Sequence, residues 1–138
     1  MSTNIDVYKI PVKYKDLDYF EDEHLEYEDD NSDYENLVFT IGGFDSSNII
    51  TGLFDITYSK QVPWSGSGGV FEGKYIITLE EFLKAKELFN NKYDKSFLIQ
   101  NYEIEEQDFN YIHEQLERFF ETTEPIIKIE KRMYFRIG

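Results

Sequence analysis

The sequence predicts an α+β fold, with an antiparallel sheet of about five strands and two helices packed on one face. Strand patterns gather in the first half of the chain, two amphipathic helix patterns follow, and an alternating segment comes last. The 138 residues suit a single domain, 1–138, and a hydrophobic content of 41%, with 11 Tyr and 12 Phe, is enough to form a core.

Four segments before the helices have strand character. Residues 4–15 alternate, and Pro11 marks an edge or a bulge. Residues 36–44 and 48–60 are rich in β-branched and aromatic side chains, and the turn-forming residues 45–47 between them predict a hairpin. Residues 61–73 contain four of the eight glycines and predict a loop, which a short strand at 74–78 follows.

Two helices and a final strand are expected after this loop. Thr78 and Glu81 have capping-box spacing, and the helix that they begin has one apolar face made of Phe82, Ala85, Leu88 and Phe89. The second helix is expected at about 105–121, with an apolar stripe of Phe109, Ile112, Leu116, Phe119 and Phe120. Pro125 is expected to end this region, and residues 126–137 alternate as the last strand.

Negative charge is concentrated in the first half of the chain. The net charge is −14, of which residues 1–59 carry −11 and residues 60–138 carry −3. Residues 16–35 contain eleven carboxylates and several aromatic residues, and no Lys or Arg occurs from 16 to 59. Such a field repels phosphates, so we expect no direct binding to nucleic acid and none to an anionic membrane.

The composition also limits the chemical reactions that the chain can perform and indicates where in the cell it is expected. The absence of cysteine excludes disulfides, Cys-ligated zinc and thiol catalysis. The chain shows neither a signal peptide nor an apolar run of about 20 residues, so a soluble cytoplasmic protein is expected.

No catalytic motif is evident, and we expect a protein that is not an enzyme and needs no cofactor. Among the two histidines, His24 lies among carboxylates, and His113 lies beside an apolar helical stripe, where a local hydrogen bond is expected. The loop around Trp64 lacks the glycine of a nucleophile elbow and the Gly-Lys-Ser/Thr of a phosphate loop.

Calcium binding is the alternative from a different functional class. Asp29, Asn31 and Asp33 occupy the first, third and fifth positions of an EF-hand loop. Tyr34 stands where the loop needs glycine, and Thr40 stands where it needs glutamate. We therefore expect no metal site, although a calcium-binding module remains an alternative.

The acidic insertion at 16–35 predicts a surface that recognises a basic protein, such as a nuclease or nuclease toxin, because carboxylates pair strongly with the Lys and Arg that bind phosphates. Two settings fit: an immunity protein that neutralises a bacterial nuclease toxin, and a phage DNA mimic that blocks a restriction or CRISPR nuclease. The concentration of negative charge in one segment favours the immunity protein over the DNA mimic. The alternative interpretation is a docked acidic loop without a partner. The expected contact residues are Asp18, Glu21, Asp22, Glu26, Tyr27, Glu28, Asp29, Asp30, Asp33, Tyr34 and Trp64.

Overall fold

A computed structural model describes residues 4–10, 36–56 and 73–138. These residues form an α+β arrangement of four strands and four helices, so the predicted class is confirmed and the predicted number of elements is wrong. The strands are β1 (Asn4–Lys9), β2 (Leu37–Gly42), β3 (Gly73–Thr78) and β4 (Arg132–Ile137). The helices are α1 (Phe44–Leu53), α2 (Leu79–Asn91), α3 (Lys95–Tyr102) and α4 (Glu106–Glu130).

The four strands form one antiparallel sheet in the order β2-β1-β4-β3. The central strands β1 and β4 pair over five residues, from Ile5 opposite Ile137 to Lys9 opposite Met133. Their ends are joined by two backbone hydrogen bonds: the Asn4 N–H donates to the Gly138 carbonyl at 3.0 Å, and the Gly138 N–H donates to the Asn4 carbonyl at 3.1 Å. Among the described strands, β1 and β3 do not pair with each other, and β4 lies between them.

Alternation along the strands gives the sheet two different faces. One face joins the helices in a single hydrophobic core, to which the sheet contributes Ile5, Val7, Ile41, Tyr75, Ile77, Met133, Phe135 and Ile137. On the opposite face, Tyr8, Tyr134 and Ile76 form one row across β1, β4 and β3. The rings of Tyr8 and Tyr134 stack at 5.0 Å between centroids, and all three side chains are buried. The sheet therefore buries apolar side chains on both faces.

The hairpin predicted across residues 45–47 is wrong, because this region forms α1. The helix begins after Gly43, whose φ of 103° favours glycine, and the Ser47 N–H donates to the Gly43 carbonyl at 3.1 Å. Ile49, Ile50 and Leu53 are buried on one face. Helix propensity disfavours Ile by at most about 0.7 kcal/mol, whereas burying an Ile side chain contributes about 1.5–3 kcal/mol. Burial therefore outweighs the β propensity of these residues.

The predicted stop at Pro125 is also wrong. α4 continues through Pro125 to Glu130, and only residues 132–137 of the expected last strand are extended. Pro125 is exposed, whereas Ile127 is buried and extends the apolar stripe of the helix. A proline inside a helix destabilises the helix by about 3 kcal/mol. The burial of Ile127 stabilises the folded chain by about 1.5–3 kcal/mol and so offsets much of this cost. The helix ends at Glu130, and the next residue, Lys131, has a φ of 71° and donates its N–H to the Ile127 carbonyl at 2.8 Å.

The predicted start of α2 is confirmed, and α3 is an addition. The Thr78 hydroxyl accepts from the Glu81 N–H at 3.1 Å, and the Glu81 carboxylate accepts from the Thr78 N–H at 3.1 Å. Asp94 caps α3 by accepting from the Phe97 N–H at 2.8 Å. None of the helices within 4–10, 36–56 and 73–138 is both long enough and apolar enough to cross a membrane.

Candidate functional site

A cleft of about 570 Å³ lies between α2 and α4 and is the candidate functional site in the described part of the chain. Three aromatic residues and seven polar or charged residues line it, so the cleft is mainly polar, unlike the mostly apolar pockets that bind small molecules. The lining residues are Lys86, Phe89, Asn90, Tyr93, Asp94, His113, Glu117, Phe120, Glu121 and Glu124.

The apolar stripes of α2 and α4 form the cleft because they pack against each other in opposite directions. Phe82, near the start of α2, lies 6.0 Å from Phe119 between ring centroids, and Phe89, further along α2, lies 5.2 Å from His113. Residue numbers therefore rise along one helix as they fall along the other. Polar residues that flank the two stripes are left at the rim of the cleft.

His113 is held at one end of the cleft by three neighbours. Its Nδ1 lies 2.6 Å from Oε1 of Glu117, one turn later on the same helix. Its ring lies between those of Phe89 and Phe109, at 5.2 and 5.1 Å between centroids. The local polar partner expected for this histidine is therefore present, and the ring is fixed by packing as well as by the carboxylate.

An ion-pair network occupies the other end of the cleft. Lys86 Nζ on α2 lies 2.5 Å from Oε1 of Glu124 on α4, and Lys128 Nζ lies 3.5 Å from the second oxygen of Glu124. The hydrogen bond from Lys86 lowers the pKa of the Glu124 carboxyl below its ordinary value of 4.5. The charged form of Glu124 is therefore favoured by folding, and Lys86 links the two helices across the cleft.

Replacing Lys86 by methionine is expected to reduce the pH dependence of stability. A carboxyl whose pKa is lowered by folding contributes stability above its unfolded pKa, and this contribution is lost as pH falls from 4.5 through the lower folded value. The pair is half-exposed, so the loss at neutral pH should be only about 0.2–1 kcal/mol. Urea unfolding at neutral pH and at about pH 3 measures the difference. Equal destabilisation of the variant at both pH values would contradict the assignment.

Glu117 and Glu121 form the acidic part of the cleft between these two ends. They are four residues apart on α4, which places them on the same side of the helix. Glu121 has no hydrogen-bond or ion-pair partner among the residues that the structure describes. Chemically, this pair can accept hydrogen bonds from a cationic group. Within the described ranges, no group of three or more His, Cys, Asp or Glu residues could hold a metal ion.

The contact residues predicted from the sequence lie outside the described residues, so the structure gives no geometry for them. This holds for the whole acidic insertion at 16–35 and for Trp64. Thr40, the last position of the calcium-loop alternative, lies in strand β2 opposite Asp6. The sequence did not predict the cleft, although one signal was present: Glu117, Glu121 and Glu124 recur at helical spacing beside the apolar stripe.

Comparison with protein families, with characterised proteins and with solved structures finds no significant match to this chain. A fold class on its own does not imply a function, since one class supports many unrelated activities. Function is therefore inferred from the charges and contacts of the residues themselves.

Proposed function

We propose that this chain is a non-enzymatic acidic binding protein that neutralises a basic partner, such as a bacterial nuclease toxin. The observation that carries the proposal is the uneven charge: residues 1–59 carry −11 of the net −14, and eleven carboxylates occur within residues 16–35. The carboxylates that line the cleft between α2 and α4 support it further, because they add acceptors for cationic groups within the folded domain.

A nuclease is a suitable partner for physical reasons. Its nucleic-acid site presents Lys and Arg to phosphates, and carboxylates can occupy the same groups with charge-assisted, often bidentate hydrogen bonds. The acidic field also accelerates encounter with a basic surface, and salt screens this effect. Neutralisation inside the cell that makes the toxin would place the protein in the cytoplasm, and a chain without cysteine is compatible with that compartment.

Charge reversal within the acidic insertion tests the proposal. We expect the triple variant Glu28→Lys, Asp29→Lys, Asp30→Lys to associate with the partner about tenfold more slowly or worse, because electrostatic steering is lost. The partner is first isolated from the native host by affinity capture. Association rates are then measured by surface plasmon resonance across a range of ionic strength, together with nuclease activity at equimolar inhibitor.

A matched control changes the net charge equally at other exposed positions: Glu87→Lys, Glu103→Lys, Glu114→Lys. This control should lose less of the association rate, and it should keep more of the salt dependence than the first triple variant. A wild-type association rate for the first variant at every salt concentration would show that residues 28–30 are not part of the contact. A captured partner that retains full nuclease activity at saturating inhibitor would contradict neutralisation.

A further inference from the structure

We propose that the cleft between α2 and α4 receives an arginine side chain of the basic partner, with its guanidinium held by Glu117 and Glu121. The identity of the partner rests on the function proposed above. The chemistry of the cleft does not, because it follows from the described residues, and a small probe can test it without the partner.

The walls of the cleft suit the stem and the flat head of an arginine. Phe89, Tyr93 and Phe120 line it, and each of them contributes only a small apolar patch, because 5%, 6% and 4% of their surfaces are exposed. An arginine side chain has an aliphatic stem that packs on apolar surface and a planar cation that bonds to carboxylates. A volume of about 570 Å³ leaves ample room for such a side chain. The recess therefore differs from a simple cluster of surface acids.

The two carboxylates provide the acceptors. Glu117 directs Oε1 to His113, and its second oxygen has no hydrogen bond or ion pair with a described residue. Glu121 lies one turn further along α4 and lines the same recess. Like charges at this spacing destabilise a helix, so a cation bound between them would remove an existing repulsion. A guanidinium, with five N–H donors in a fixed plane, can bond to both carboxylates at once.

The cleft already accommodates one cation from the chain itself. Lys86 reaches across from α2 and pairs with Glu124 at the far end. That carboxylate also contacts Lys128 and is therefore engaged on both of its oxygens. Among the glutamates that line the cleft, Glu117 and Glu121 keep carboxylate oxygens without a described ion-pair partner, and Asp94 adds one oxygen that does not cap α3. Glu117 and Glu121 lie one turn apart on α4, which is why the guanidinium is assigned to them.

A titration with the tripeptide acetyl-Gly-Arg-Gly-amide, followed by ¹H–¹⁵N NMR, tests the site. We expect saturable shifts at the amides of Tyr93, Glu117 and Glu121. The same peptide with citrulline has the same shape and no charge, and it should give no saturable shift. Glu121→Gln should weaken arginine binding about tenfold, whereas Glu114→Gln, an equal charge change on α4 outside the cleft, should leave it unchanged.

Three outcomes would overturn the inference: equal shifts with the citrulline peptide, shifts spread over the surface without saturation, or equal loss of affinity in the two glutamine variants. Its failure is distinguishable from failure of the proposed function. If Glu121→Gln leaves partner binding unchanged while reversal at 28–30 slows it, the cleft inference fails and the proposed function stands. If the arginine peptide saturates the cleft and no basic partner is found, the arginine site stands and the proposed function fails.

Discussion

Phe119→Ala is expected to lower the free energy of unfolding by about 3–5 kcal/mol. Phe119 is fully buried on α4, and its ring contacts five other aromatic rings at 4.9–6.3 Å between centroids, namely those of Phe39, Phe54, Phe82, Phe120 and Phe135. Removal of the ring loses its transfer free energy and leaves a cavity between sheet and helices. A domain of this size has a total stability of about 5–15 kcal/mol, so the variant should approach the limit of folding.

Urea unfolding followed by circular dichroism measures this effect. Phe44→Ala makes the same chemical change at a side chain that is 68% exposed, and it should change stability by no more than about 0.5 kcal/mol. Phe119→Leu keeps most of the volume and should cost clearly less than alanine. A loss below about 1 kcal/mol for Phe119→Ala with an unchanged m-value would show that this aromatic cluster is not the centre of the core.

Gly52→Ala is expected to destabilise the protein by about 1–3 kcal/mol, as overpacking typically does. A Cβ at Gly52 would overlap the hydroxyl of Tyr102 and lie 3.3 Å from its Cζ. That hydroxyl is 3.0 Å from the hydroxyl of Tyr93, and burial raises the pKa of Tyr102, so Tyr102 enters the pair as a neutral phenol. Alanine would displace Tyr102 and break this hydrogen bond, which links α3 to the segment after α2.

The expected loss of stability in Gly52→Ala is opposite in sign to the usual effect of this substitution in a helix. In a helix such as α1, alanine is normally more stable than glycine by about 0.5–1 kcal/mol. Removing the obstructing hydroxyl with Tyr102→Phe should therefore recover much of the loss, and the double variant should be more stable than the sum of the two single changes predicts. Additive losses in this double-mutant cycle, measured by urea unfolding, would show that the Tyr102 hydroxyl does not restrict residue 52.

Local sequence signals predicted the parts of the fold that depend on local physics. The capping box at Thr78 and Glu81 is a short-range hydrogen-bond motif, and it marks the start of α2 correctly. The stripe of Ile112, Leu116 and Phe119 likewise identified α4 through its spacing alone. Both features can be identified from a few neighbouring residues, because neither the cap nor the periodicity depends on a distant segment.

The failures arose where tertiary burial outweighed propensity. Ile49 and Ile50 favour strands locally, but their burial against the core stabilises a helix. Pro125 disfavours a helix locally, but Ile127 continues the buried stripe beyond it. The cleft could not be located from the sequence for a similar reason. Its two walls come from α2 and α4, and no local sequence pattern predicts that Phe89 of one helix packs against His113 of the other.

The strand order determines when the sheet can form during synthesis of the chain. β4 lies between β1 and β3, which share no hydrogen bonds of their own. While the chain is made from its amino end, the pair of β1 and β2 and the separate strand β3 must wait until residues 132–137 emerge from the ribosome. Long-range pairing of this kind slows folding. The edges of β1 and β3 that face β4 in the finished sheet therefore stay without this partner until β4 has been made.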